Sequence, residues 1–64
     1  MKPCYIKVNI TLNSIQYLKN TCCYYEQNKR YSYKMNVFVP FSRRPAILNK
    51  EEFEMYFSEG KVAL

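Results

Sequence analysis

Thr21–Val39 reads TCCYYEQNKRYSYKMNVFV, and whether it folds back as a hairpin or opens with a helix decides the architecture. The second half is clear. From Tyr31 to Phe41 the residues alternate, with Tyr31, Tyr33, Met35, Val37, Val39 and Phe41 on one side and Ser32, Lys34, Asn36, Phe38 and Pro40 on the other. Period-two alternation of β-branched and aromatic residues predicts a strand, and Pro40 ends it. The first half has two readings. Asn13 followed by Gln16 could cap a helix carrying Ile15, Leu18, Cys22 and Tyr25 at helical spacing. Against this, TCCYYE is rich in strand formers, and EQNKR is a polar segment of hairpin length. The hairpin reading pairs residues 21–25 with 31–35 and leaves 13–20 as a turn or short helix.

Outward from this stretch, residues 4–12 alternate as well. Cys4, Ile6, Val8, Ile10 and Leu12 share one side, and Tyr5, Lys7, Asn9 and Thr11 the other, which predicts one long strand behind Pro3. Near the other end, Asn49 and Glu52 have capping-box spacing, Leu48 and Phe53 are placed as a hydrophobic staple, and Phe53, Tyr56 and Phe57 fall on one helical face. A helix over residues 50–59 with Gly60 as its stop follows. The segment PFSRRPAIL reads as a connection pinned by Pro40 and Pro45. The expected fold is α+β: an antiparallel sheet of three strands with one C-terminal helix on one face. Residues 1–64 form a single small domain, with an optional short helix in 13–20.

With 64 residues the chain can bury only a modest fraction of its surface, so its stability is small and a partner or homodimer contact would add to it. Three cysteines, an odd number, lack a C-x-x-C pair, and there is no histidine. This makes a poor zinc site and argues for small, partly buried thiols in a reducing setting. No metal or other cofactor is expected. No apolar run approaches the length of a membrane span, and the start MKPCYIKVNITL lacks the apolar core of a secretion signal, so a cytoplasmic protein is expected. Without histidine, a Gly-rich phosphate loop or a nucleophile–base pair, enzymatic function is not expected.

The charge is uneven. The net +5 hides a basic body and a glutamate-rich end: Glu51, Glu52, Glu54 and Glu59 all follow residue 50, whereas Glu26 is the one acid before it. A single helix can roof one sheet face. The roofed face would carry Ile6, Val8, Ile10, Leu12, Met35, Val37 and Val39, with Ile47 and Leu48 at its edge. The reverse face would then expose Tyr5, Lys7, Lys34, Asn36 and Phe38, joined by Tyr24 or Tyr25. Lys29 and Arg30 would sit at the hairpin tip, and Arg43 and Arg44 beyond the strand end as an anionic clamp. Aromatic residues and arginine are the interface-forming types, and an open sheet face is a ready docking surface. The expected function is a non-enzymatic binding protein, a stoichiometric inhibitor or accessory factor docking on a larger protein or nucleoprotein. Direct RNA or DNA binding is the alternative, because rings stack on bases while Lys and Arg take phosphates. Small size and heavy use of Lys, Asn, Tyr and Ile give the chain a phage- or virus-like style.

Overall fold

The alternating run 4–12 is not one strand. In the computed structural model, which describes residues 1–63, it is divided between β1 (Lys2–Ile6) and β2 (Ile10–Leu12). Two hydrogen bonds hold the chain past the break. Beyond Ile6 the Lys7 N–H donates to the Tyr56 carbonyl at 2.8 Å, and the Asn9 side-chain oxygen accepts the Lys19 N–H at 2.7 Å. The first extends the β1–β7 register by one residue, and the second ties the chain beyond β1 to the segment leading into β4. Val8, expected in the core, is consequently 46% exposed.

β2 pairs with β3 (Ile15–Tyr17), Leu12 opposite Ile15 and Ile10 opposite Tyr17. The two residues between them, Asn13 and Ser14, have φ of 51° and 65°. Positive φ at both central residues is the signature of the type I′ turn, whose twist matches that of a two-residue hairpin. A helix over 13–20 is thereby excluded. Asn13 is a turn residue instead of a helix cap.

The hairpin reading of the quoted stretch holds, but with a different register. β4 (Cys22–Gln27) pairs with β5 (Lys34–Phe38) so that Tyr24 opposes Phe38 and Gln27 opposes Met35. Tyr31 and Tyr33 therefore belong to the loop. Side chains fix that loop. Asn28 Oδ1 accepts the N–H groups of Arg30 and Tyr31, both at 2.9 Å, and Gln27 Nε2 donates to the carbonyls of Ser32 and Lys34 at 2.6 and 3.1 Å. An Asx-type turn of this kind supplies the reversal without glycine.

The capping box is present as read: Asn49 Oδ1 accepts the Glu52 N–H at 2.8 Å, and Glu52 Oε1 accepts the Asn49 N–H at 3.2 Å. The helix it starts, α1 (Lys50–Tyr56), is shorter than predicted. At Phe57 the backbone turns extended (φ −127°, ψ 153°), and β7 (Phe57–Glu59) pairs with β1, Ile6 opposite Phe57 and Cys4 opposite Glu59. Gly60, at φ 96°, follows a strand rather than closing the helix. A further strand, β6 (Ala46–Asn49), lies in what reads as connection and pairs with β5.

The three-stranded α+β expectation is thus corrected. The molecule is mostly sheet: an antiparallel five-stranded sheet in the order β6-β5-β4-β1-β7, a separate β2–β3 hairpin and one short helix. One face of the sheet forms the core, with Cys4, Ile6, Cys23, Tyr25, Met35, Val37, Val39 and Phe57 buried. Two elements roof it together. α1 enters beside Tyr33 through its Lys50 N–H and contributes Phe53. The β2–β3 hairpin contributes Tyr17, with Ile10, Leu12 and Ile15 packed alongside, and is tied to the far end of β5 by a hydrogen bond from the Tyr17 hydroxyl to the Pro40 carbonyl. Ile47, expected at the core edge, points outward at 57% exposure. No helix among the described residues is long and apolar enough to cross a membrane.

Candidate functional site

Strand alternation sends Pro3 and Tyr5 of β1, Tyr24 of β4, Lys34 and Phe38 of β5 and Ile47 of β6 to the outer face. The register turns these positions into rows. Phe38 opposes Tyr24, and Tyr24 opposes Pro3, giving an apolar and aromatic row across three strands. Ile47 opposes Asn36, which opposes Glu26, and Cys22 opposes Tyr5 in the next row. Directly opposed side chains lie about 5 Å apart and pack on one another, so the rows are continuous surface. Tyr24 is 54% exposed, while Tyr5 and Phe38 are half-buried by their neighbours. The choice between Tyr24 and Tyr25 is resolved: Tyr24 faces out and Tyr25 in. A cavity of about 410 Å³ opens beside Pro3, Cys22 and Tyr24, flanked by Gly60, Lys61 and Val62.

The cations divide between opposite ends of β5. At the tip, Lys29 and Arg30 are exposed. The Arg30 guanidinium lies 5.5 Å from the Tyr31 ring centre, and Lys34 Nζ lies 5.4 and 5.8 Å from the Tyr31 and Tyr33 ring centres. The two rings are 5.7 Å apart and tilted. Here bases and rings stabilise one another through cation–π contacts, each on the order of 0.5–1 kcal/mol at an exposed site. Arg43 and Arg44 are exposed beyond the other end of β5, a strand about 13 Å long. The expected surface is therefore two basic poles separated by an aromatic row.

Lys7 is placed elsewhere. Its Nζ donates to the Glu54 carbonyl near the end of α1, where a cation is favoured by the helix dipole. Its role is to hold the helix rather than to line the outer face.

The connection carrying Arg43 and Arg44 also holds a residue that the strand pattern misplaces. Phe41 is 92% exposed with φ 65°. Left-handed backbone is unfavourable for a bulky residue and persists where surroundings enforce it. Asn13 Nδ2 donates to Ser42 Oγ at 3.0 Å and to the Arg44 carbonyl at 3.4 Å, and Ser42 Oγ donates to the Arg44 carbonyl at 2.9 Å. With Tyr17 on Pro40, these bonds brace the segment. The signal was available in sequence: once Pro40 ends the strand, Phe41 no longer shares its alternation. Tyr31 and Tyr33 were missed for the corresponding reason at the other end.

A second cleft, about 630 Å³, lies between α1 and the sheet. Its walls include Tyr25, Met35 and Phe53, and its mouth Lys2, Glu26, Lys50, Glu54 and Glu59. The Tyr25 hydroxyl donates to Glu59 Oε1 at 2.9 Å. Burial pushes the Tyr25 phenol above its usual pKa, and the hydrogen bond and charge of Glu59 add to the rise. Burial likewise raises Tyr17, with a smaller contribution from Cys23. Both phenols therefore act as protonated hydrogen-bond donors closing the inner face. Among the described residues, no group of three or more His, Cys, Asp or Glu is placed to hold a metal ion. No protein-family model, curated protein or solved structure matches the chain.

Proposed function

We propose that this is a non-enzymatic binding protein that docks on a larger protein or nucleoprotein through its outer sheet face, as a stoichiometric inhibitor or accessory factor. The observation that carries the reading is the row Phe38–Tyr24–Pro3. Both roofing elements pack on the other face, and this row is left in contact with water, between basic poles at Arg30–Lys34 and Arg43–Arg44. Exposed aromatic side chains give large, rigid contact area with a polar tip, and flanking cations speed approach to an acidic partner.

Docking through the face is favoured over strand addition at a sheet edge. Lys50 donates its N–H to the Tyr33 carbonyl, just before β5, so strand alternation points the Ile47 and Asn49 backbone groups away from β5. The Asn49 N–H is already bonded to Glu52, and Pro45 has no N–H to offer. On β7 the Phe57 N–H is bonded to the Phe53 carbonyl. Both edges are short and partly satisfied, a usual defence against added strands.

The test is affinity capture with wild type and a Tyr24→Glu/Phe38→Glu double variant, after nuclease treatment and at moderate salt. Partners retained by wild type and lost by the variant support the reading. Identical retention by both overturns it.

A second reading, direct nucleic-acid binding, rests on the tip, where Tyr31 and Tyr33 stand exposed among Lys29, Arg30 and Lys34. Retention on a single-stranded oligonucleotide column that falls steeply with salt and is lost on Tyr31→Ala/Tyr33→Ala would support it.

A further inference from the structure

We propose that Cys4 and Cys23 form a disulfide-forming pair, closing a bond between β1 and β4 when the protein meets a low-molecular-weight disulfide. All three thiols are free in the structure. Cys4 and Cys23 are directly opposed in the antiparallel register, and both side chains lie in the core at 1% and 2% exposure. The Ile6 N–H donates to the Thr21 carbonyl at 3.1 Å. Two residues further along each strand, Cys4 and Cys23 therefore occupy a hydrogen-bonded position of the ladder, where Cα atoms stand about 5.5 Å apart. That separation is central to the range disulfides span. The Cys23 Sγ also donates to the Thr21 carbonyl, at 3.6 Å. Cys22 is exposed and directed to the outer face by alternation, so it cannot substitute for Cys23 without reversing the strand.

The exchange runs in two steps. Coupling to Cys23 and burial push the Cys4 thiol above its usual pKa, which leaves Cys23 the readier thiolate and the attacking sulfur. It cleaves the reagent's S–S bond, forming a mixed disulfide and releasing one thiolate. Cys4 then attacks the Cys23 sulfur, its proton passing to the second departing thiolate. Two protein thiols lose two electrons and two protons, and one molecule of oxidised glutathione becomes two of reduced glutathione. Because both side chains are buried, attack requires local opening, which makes the reaction slow but specific.

The bond would enclose residues 4–23 and with them the whole β2–β3 hairpin. It would also fix β1 to β4, the two strands that carry Pro3, Tyr5 and Tyr24 outward. The test uses Cys22→Ser, which removes the exposed thiol and leaves the core intact. The folded variant is equilibrated with oxidised glutathione, then examined by intact mass, peptide mapping and thermal melting. The expected result is loss of two hydrogens, a cross-linked Cys4–Cys23 peptide, and a Tm raised by roughly 10 °C that dithiothreitol reverses. Persistent glutathione adducts, thiols unchanged after equilibration, or a lowered Tm would each overturn the assignment.

Discussion

On the inner face of the sheet Tyr25, Phe53 and Phe57 form a continuous series of rings, 4.9 and 5.5 Å between successive centres; on the outer face Tyr24 and Phe38 meet Pro3 and then water. β4 contributes to both sets through successive residues, Tyr24 outward and Tyr25 inward. The difference is in what the polar tips do. The inner hydroxyls of Tyr17 and Tyr25 are bound to Pro40 and Glu59. A buried phenol left unpaired would cost about 1–3 kcal/mol, so these bonds are a condition of closing the face. The outer face has no such closure, and Tyr24 remains 54% exposed there.

The sharpest way to break this contrast is to truncate one ring on each side. Phe57→Ala removes a ring that is almost wholly inaccessible and stacks on Phe53, and should cost about 3–5 kcal/mol. A domain of this size has a total stability of the same order, so the variant should lose cooperative urea unfolding. Phe38→Ala should cost under about 1 kcal/mol while leaving the fold intact. Equal losses would show that the outer row is part of the core and would remove the basis for docking through it.

The sequence declared the inner face more legibly than the elements that build it. Met35, Val37, Phe53 and Phe57 are read from periodicity alone, because apolar alternation in a strand and i, i+4 spacing in a helix each fix a face. The ends of elements were not legible in that way. Phe57 satisfies the helical pattern from Phe53 and also begins β7, so the pattern could not show where α1 stops. Val8 continues the alternation of β1 although the strand ends at Ile6. Both errors have one origin: local periodicity records burial, whereas tertiary hydrogen bonds decide where a strand breaks. The β2–β3 turn was hidden because Ser14 stands where glycine would announce a type I′ turn. At the candidate site the same limit applied. Phe38 and the basic residues could be named, but the separation of the two poles depends on the register and on where β5 ends.

Raising the pH probes the closure of the inner face directly. Tyr17 and Tyr25 have folded pKa values above that of an unfolded tyrosine, about 10. Their contribution to stability is fully present below that pH and is lost as pH rises through the higher folded values, because the unfolded chain releases its protons first. The Tm should therefore decline above pH 10, and Tyr25→Phe should flatten the decline even though it forfeits the bond to Glu59. An unchanged slope would mean that Tyr25 is not held as a donor.

The capping box at Asn49 tests how far the inner face depends on the helix that covers it. Asn49→Ala removes the acceptor for the Glu52 N–H and should cost about 1 kcal/mol, or roughly 4–8 °C in Tm. Since α1 has only seven residues, the loss should fall on the whole domain rather than fray one end. Hydrogen exchange would check this: protection at Val37, in the central part of the sheet, should fall together with protection in α1. A fall confined to α1 would show that the β2–β3 hairpin holds its share of the roof independently.

That hairpin offers the smallest effect and the one of opposite sign. Ser14 adopts φ 65° in the second central position of the turn, where a side chain is strained and glycine is not. Ser14 is exposed, and its side chain closes no part of either face. Ser14→Gly completes the Asn-Gly pair favoured in such turns, and the relief of strain exceeds the added freedom of the unfolded chain by an expected 0.5 kcal/mol or so. The Tm should rise by a few degrees. Partner capture should not change, because the turn belongs to the roof of the inner face and the proposed contacts belong to the outer one. A stabilised variant with altered capture would instead place the β2–β3 hairpin in the interface, and the division of labour between the two faces would have to be redrawn around it.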